Sequence, residues 1–102
     1  MKVDFTPAAR LDLIEIGDYL RQEAPWRASS FVKELVAKAR NIGRTPYGFQ
    51  LVERYAHRGV RRRPHRSYVI FYRVEDRQVS IIHILHGARD YEAILFPEMD
   101  SN

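Results

Sequence analysis

The chain has no cysteine, so a disulfide framework and a thiolate metal site are both excluded, and a reducing compartment suits it. No apolar run approaches the roughly 20 residues that a membrane-spanning helix needs. Glycine and proline number five each, too few for a fibrous or low-complexity chain, and no segment repeats. Lysine is scarce: 14 of the 17 cationic residues are arginine, the side chain suited to bidentate contact with carboxylate or phosphate. The start, Met1-Lys2-Val3-Asp4-Phe5, carries an acid and lacks the apolar block of a signal peptide. The expectation is a soluble, cytoplasmic protein with no membrane association.

One absence is local. Between Arg54 and Val74 there is no acidic residue, while arginine occupies 54, 58, 61, 62, 63, 66 and 73. Outside that window ten basic residues face 13 acidic ones, so the net charge of +4 comes from one basic stretch on a mildly acidic body. Such a stretch favours a polyanionic partner, either nucleic acid or an acidic protein segment.

The 102 residues, 45% of them hydrophobic, suffice for one small core, and residues 1–102 are expected to form a single domain. Lys2 to Phe5 alternates polar and apolar as a short strand. Thr6-Pro7 is a helix start, with Thr6 as cap and Pro7 where a missing N–H costs nothing. Ala9, Leu13, Ile16 and Leu20 then form an apolar stripe, with Leu11, Ile14 and Tyr19 widening it and Arg10, Asp12, Asp18 and Arg21 outside. Pro25 ends this helix. A second helix is predicted from about Trp26 to Ile42, apolar at Ala28, Phe31, Val32, Leu35, Ala39 and Ile42, with Gly43 as its C-terminal cap. Two helices so closely joined form an antiparallel hairpin.

Arg44 to Gly59 reads as a loop with a turn at Pro46-Tyr47-Gly48 and a short strand near Gln50 to Arg54. Val60 to Arg63 is a strand stopped by Pro64. Ser67 to Val74 alternates, with Tyr68, Ile70, Tyr72 and Val74 on one face and Val69, Phe71 and Arg73 on the other. After the polar turn Glu75-Asp76-Arg77-Gln78, Val79 to His86 is apolar on both faces, as a central strand should be. Asp90 to Leu95 suits one or two helical turns, and 97–102 a loose tail. The fold expected is α+β: a short N-terminal strand and an antiparallel helical hairpin packed on a small antiparallel sheet of three to four strands.

Several groups invite chemistry. His83 and His86 lie three apart on a strand, so they point to opposite faces and do not share a metal ion without a bulge. No carboxylate cluster completes such a site, and neither metal nor cofactor is expected. His57 and His65 flank the arginines as surface residues. Tyr68, Phe71 and Tyr72 suit either a core or a base-stacking platform, and the alternation favours core. Trp26 either staples the hairpin or stands exposed as an interface anchor. Arg89 and Asp90 are expected to form a structural ion pair, Gly87 to allow a turn or bulge there, and His86 to be a hydrogen-bonded shoulder residue.

The ordered set Phe5-Thr6-Pro7-Ala8-Ala9-Arg10-Leu11-Asp12-Leu13, Ile16, Tyr19, Ala28, Phe31, Thr45-Pro46-Tyr47-Gly48, Tyr68-Val69-Ile70-Phe71-Tyr72-Arg73-Val74 and Ile84-Leu85-His86-Gly87-Ala88-Arg89-Asp90 resembles the RelE/ParE toxin superfamily. The likeness is strongest to its ParE-like branch and spans nearly the whole chain. It implies the toxin of a type II toxin–antitoxin system, of the plasmid stabilisation type, neutralised by direct binding of a ParD-like antitoxin. The ParE-like branch implies inhibition of DNA gyrase without catalysis. The RelE-like branch implies a ribosome-dependent mRNA endoribonuclease, and a degenerate member that only binds an antitoxin is a further alternative. For a nuclease the candidates are Arg61, Arg63, Arg73, His83, His86, Arg89 and Tyr91, which supply cations but no clear acid–base pair. The His-Gly-x-Arg-Asp ending is nearer the ParE-like pattern. Contact with gyrase or antitoxin is then expected from Arg58, Arg61, Arg62, Arg63, Arg66 and Trp26, with DNA reached only through the antitoxin or gyrase.

Overall fold

Thr6 and Pro7 begin the first helix as their chemistry dictates. The Thr6 hydroxyl accepts the Ala9 N–H at 3.2 Å, and Pro7 holds the first helical position, where no donor is required. In the computed structural model, which describes residues 1–97, helix α1 spans Pro7–Glu23 and α2 spans Pro25–Asn41. Ala24 alone joins them, at φ −151° and ψ 70°, because Pro25 drives the residue before it out of helical geometry. The tail expected over 97–102 lies, beyond Pro97, outside the described residues.

The strands are β1 (Lys2–Phe5), β2 (Arg61–His65), β3 (Tyr68–Glu75) and β4 (Gln78–His86), followed by the short helix α3 (Tyr91–Leu95). They form one sheet in the order β1-β4-β3-β2. β2, β3 and β4 run antiparallel, while β1 lies parallel to β4, with Lys2 opposite Gln78 and Phe5 opposite Ile81. The α+β arrangement of helical hairpin on sheet is the one expected, with the sheet mixed rather than wholly antiparallel. A long connection through both helices is what a parallel neighbour needs. The β3–β4 turn is the tight kind that matches strand twist, with Asp76 and Arg77 both at positive φ (49° and 62°).

Alternation on β3 divides the core into two. Ile70 and Tyr72 face the helices and pack with Ile16, Phe31, Leu35 and Ile81. Val69 and Phe71 face the other way and are covered by Val52, Tyr55, Val60 and Phe96. The buried Tyr72 hydroxyl donates to the Pro46 carbonyl at 2.7 Å, and burial pushes its pKa up. The segment after α2 is thus more than a connection: it roofs the second face. Its expected strand reduces to one bridge, Leu51 to Arg61.

Local patterning misplaced a few positions. Pro64 does not stop β2 but sits inside it, opposite Val69. The outward edge of β2 takes Gln50 only as far as the Arg62 N–H, at 2.9 Å, so two residues on a missing N–H interrupts nothing. Gly43 is no left-handed cap: a Cβ there would collide with the Met1 carbonyl oxygen, so close backbone approach demands the glycine. Leu11, Ile14 and Tyr19 are more than half exposed rather than part of the stripe, whereas Asp12 is buried with 8% exposure.

Asp12 is buried because β1 is too short. β1 leaves the sheet at Phe5, opposite Ile81, while β4 continues to His86. Just past that point the register of β3 on β4 shifts, so that Tyr72 faces Ile81 and Phe71 faces His83, leaving Ile82 as a bulge. The main-chain groups left open are taken by α1 and its cap. Thr6 Oγ1 donates to the Ile82 carbonyl at 3.2 Å, and Asp12 Oδ2 accepts the Ile84 N–H at 2.8 Å and the His83 Nδ1 at 2.7 Å. Asp12→Ala strands a buried N–H, and a loss of about 2 kcal/mol in urea-unfolding free energy is expected. Asp12→Asn, which keeps an acceptor, should lose about half of that. Equal losses in the two variants would contradict this role.

Candidate functional site

The arginine run is continuous in sequence and divided in space, because residues along β2 point alternately to opposite faces. Arg61 turns toward the helices and donates to the Phe49 carbonyl at 2.7 Å and the Tyr47 carbonyl at 3.3 Å. Arg63, on the same face, donates to the Lys38 carbonyl at 2.9 Å and lies 4.7 Å over the Phe49 ring. Lys38 is in the last turn of α2, where carbonyls lack helical partners, so Arg63 caps that helix from the neighbouring strand. Arg62 points to the other face with its Nε buried and unpaired. Arg73 leaves that face too, its Nε 2.7 Å from Glu75 Oε1, close enough for charge pairing though outside hydrogen-bond alignment. Arg58 sits 5.1 Å over the Phe96 ring, and Arg54 pairs with Glu92 at 2.9 Å.

At the β2–β3 turn the chain makes a small charged cluster. Glu34 Oε1 of α2 receives Arg66 Nε at 3.0 Å and His65 Nε2 at 2.5 Å. Arg66 is held at φ 56°, a left-handed conformation unusual for a long side chain. The Arg66 hydrogen bond, then that of His65, holds the Glu34 carboxyl below its usual pKa, against a smaller opposing effect of burial. His65 is therefore not the surface residue expected: its side chain is 15% exposed and stacks on Phe31 at 6.2 Å.

Beside this cluster a cleft of about 660 Å³ opens between the hairpin tip and the ends of β3 and β4. Its floor is Ile16, Leu20, Phe31, Tyr68 and Ile84; Arg27, Arg66, His86 and Arg89 stand around it, with Tyr19 and Glu15 on the α1 side. Burial, and secondarily Tyr19, raises the Tyr68 phenol pKa. His86 meets the Tyr68 ring edge-on at 5.4 Å, and its Nδ1 accepts the Ala88 N–H at 3.1 Å. Gly87 donates its N–H to the Ser67 carbonyl at 2.8 Å, in a turn without positive φ, five residues beyond the bulge. Among the described residues no ion pair joins Arg89 to Asp90, and the Arg89 backbone bonds to the His86 carbonyl instead.

The groups named for a nuclease are scattered. Arg61 and Arg63 are tied to main chain under the helices, Arg73 pairs with Glu75, and His83 binds Asp12. His86 and Arg89 line the cleft, while Tyr91 packs on Phe71, 4.9 Å between rings, on the opposite face. Among the described residues no three His, Asp or Glu side chains gather where a metal could bind. Trp26, 79% exposed, is the most exposed of the large hydrophobics and does not staple the hairpin. Sequence reading did not single out Arg27 or Glu34, and it drew Tyr19 into the apolar stripe of α1 rather than to the edge of a cleft.

Residues 3–91 match the family described as the ParE toxin of the type II toxin–antitoxin system parDE. The chain is similar in structure to a chromosomal ParDE toxin–antitoxin system from P. aeruginosa, with TM-score 0.65 and 19% identity over 84% of this chain and 95% of that one. It is also similar to the RelBE2 toxin–antitoxin complex from Mycobacterium tuberculosis, with TM-score 0.63 and 24% identity over 83% and 95% of the two chains. No curated protein matches in sequence.

The Glu34 cluster predicts a signed pH response. A carboxyl whose folded pKa lies below the usual 4.5 stabilises the fold fully above that value, and the stabilisation disappears as pH falls through the folded pKa. The difference in urea midpoint between the parent and Glu34→Gln should therefore shrink between about pH 5 and about pH 3. A constant difference over that range would show that the carboxylate charge plays no part.

Proposed function

The chain belongs to the ParE toxin family of type II toxin–antitoxin systems, and on that premise we propose that it arrests growth in the cytoplasm by binding DNA gyrase, without catalysis, and that a ParD-like antitoxin neutralises it by direct contact. What supports the non-catalytic reading is the scatter of the groups a nuclease would need. Attack of a 2′-hydroxyl on phosphate requires a base, a cation at the phosphorane and a proton donor around one reacting centre. Here Arg61, His83 and Tyr91 are each held by a different partner: Phe49, Asp12 and Phe71. No helix among the described residues is long and apolar enough to cross a membrane.

One observation favours the ribosome-dependent mRNA endoribonuclease as a second reading. Arg62 and Arg73 leave the same face of neighbouring strands, a placement that suits a phosphate.

Purified protein added to gyrase and plasmid is expected to stop supercoiling or trap cleavage complexes, and to leave mRNA intact in a translating extract. Cut mRNA with undisturbed supercoiling would replace this reading with the endoribonuclease. Activity in neither assay would indicate a degenerate member that binds only its antitoxin. Co-expression of the protein encoded by the adjacent reading frame is expected to restore growth.

A further inference from the structure

We infer that the outward face of α2 binds single-stranded nucleic acid, with one base stacked on Trp26 and the phosphates beyond it against Lys33 and Arg40. The inference is independent of the target and the antitoxin proposed above, and it makes this contact with nucleic acid a direct one.

Helical periodicity presents the face. Ala28, Phe31, Leu35 and Ala39 are the buried side of α2, and the opposite side carries Trp26, Ser29, Ser30, Lys33, Ala37 and Arg40, all exposed. Trp26, Lys33 and Arg40 recur at intervals of seven, so they stand nearly in one line, each about 10 Å from the next at 1.5 Å per residue. Arg44, also exposed, follows in the 3-10 turn Ile42–Arg44. No acid interrupts the line: Glu34, the one carboxylate of α2, turns aside to His65 and Arg66.

The cations here are not engaged as those of the sheet are. Among the described residues Lys33 and Arg44 have no ion pair or side-chain hydrogen bond, and Arg40 lies only over the Phe5 ring, at 5.7 Å. The side chains between them, Ser29, Ser30 and Ala37, are small and let a polymer lie close to the helix. A row of lysine and arginine along one helix face is the footprint of a phosphate chain.

Trp26 decides which polyanion fits. Its indole is 79% exposed and, among the described residues, meets no other ring and no guanidinium. The Phe31 and Tyr68 rings, by contrast, are covered by each other at 5.6 Å, by Arg27 and by His86. An open flat ring at the end of a cationic line is a platform for an unpaired base, which a duplex does not offer. An acidic protein segment would match the cations and leave the indole without a planar partner. A lipid surface needs more apolar side chains than this face carries.

Because the chain has a single tryptophan, its fluorescence reports this face alone. Full-length protein titrated with oligothymidine or oligouridine of about 12 nucleotides is expected to lose indole emission, and anisotropy of the labelled oligonucleotide gives the affinity. Trp26→Ala should weaken binding about tenfold, and Trp26→Phe, which keeps a stacking ring, about threefold or less. Lys33→Gln combined with Arg40→Gln should also weaken it about tenfold and lower the slope of log affinity against log salt by about 1.4, two phosphate contacts at about 0.7 each. Arg77→Gln combined with Arg89→Gln removes the same charge away from α2 and should stay within about threefold. All these side chains are exposed, so the fold should persist, as circular dichroism and thermal unfolding can check.

Binding of either polymer through Trp26 upholds the surface, and the tighter of the two tells DNA from RNA. Absence of binding at physiological salt, or equal losses in the two double variants, overturns the inference. So does a duplex bound as tightly as the single strand with no effect of Trp26→Ala. Polyglutamate or phosphatidylglycerol vesicles that change the indole emission where the oligonucleotides do not would give the face to an acidic protein or a membrane surface instead.

Discussion

The Asp12 carboxylate fixes how the two layers meet. A sheet built from strands of unequal length leaves main-chain donors and acceptors open beyond the end of the shorter one, and open groups cannot be buried without partners. β1 is only four residues long, and the longer β4 bulges just past its end. A helix resting there must bring its own polar groups to an otherwise apolar contact, and α1 does so with Thr6 and Asp12. These bonds span more than 70 positions of sequence and set the height of α1 over β4. The cleft follows from the same constraint, since Asp12 and Ile84, joined by one hydrogen bond, both line it.

Arginine serves this protein first as a structural donor. A guanidinium presents several N–H groups in a fixed fork and loses less than an ammonium when dehydrated, so it can hold irregular main chain against a sheet. Arg61 binds the carbonyls of the turn after α2, and Arg63 the last turn of α2 itself. Both guanidiniums also lie over aromatic rings, Arg61 5.3 Å from the Tyr47 centroid and Arg63 4.7 Å from that of Phe49. Charge gathered in sequence is thereby spread over two faces and a turn, and the guanidiniums around the cleft come from three distant segments.

The elements were legible because each has a strong local cause. Thr6 and Pro7 start α1, Pro25 separates the helices, and alternation from Tyr68 to Val74 assigns both faces of β3 correctly. Even the helical stripe holds at Ala9, Leu13, Ile16 and Leu20. What periodicity reports, however, is an average direction toward apolar surroundings. It read Asp12 as solvent-facing because a carboxylate carries no apolar signal, and it drew Leu11 and Ile14 inward because their side chains do. The cleft was the least legible part, since its arginines lie at 27, 66 and 89 and share no spacing.

The sequence by itself determined the family resemblance, the order of the elements, the main apolar stripe of α1 and the two faces of β3, and the elements and their faces follow from interactions between residues a few positions apart. Tertiary structure alone decided the bulge at Ile82, the burial of Asp12, the division of the arginines and the existence of the cleft. Each of these depends on which main-chain groups a short strand leaves unpaired and which distant side chain arrives to bind them, and spacing along the chain does not encode that meeting.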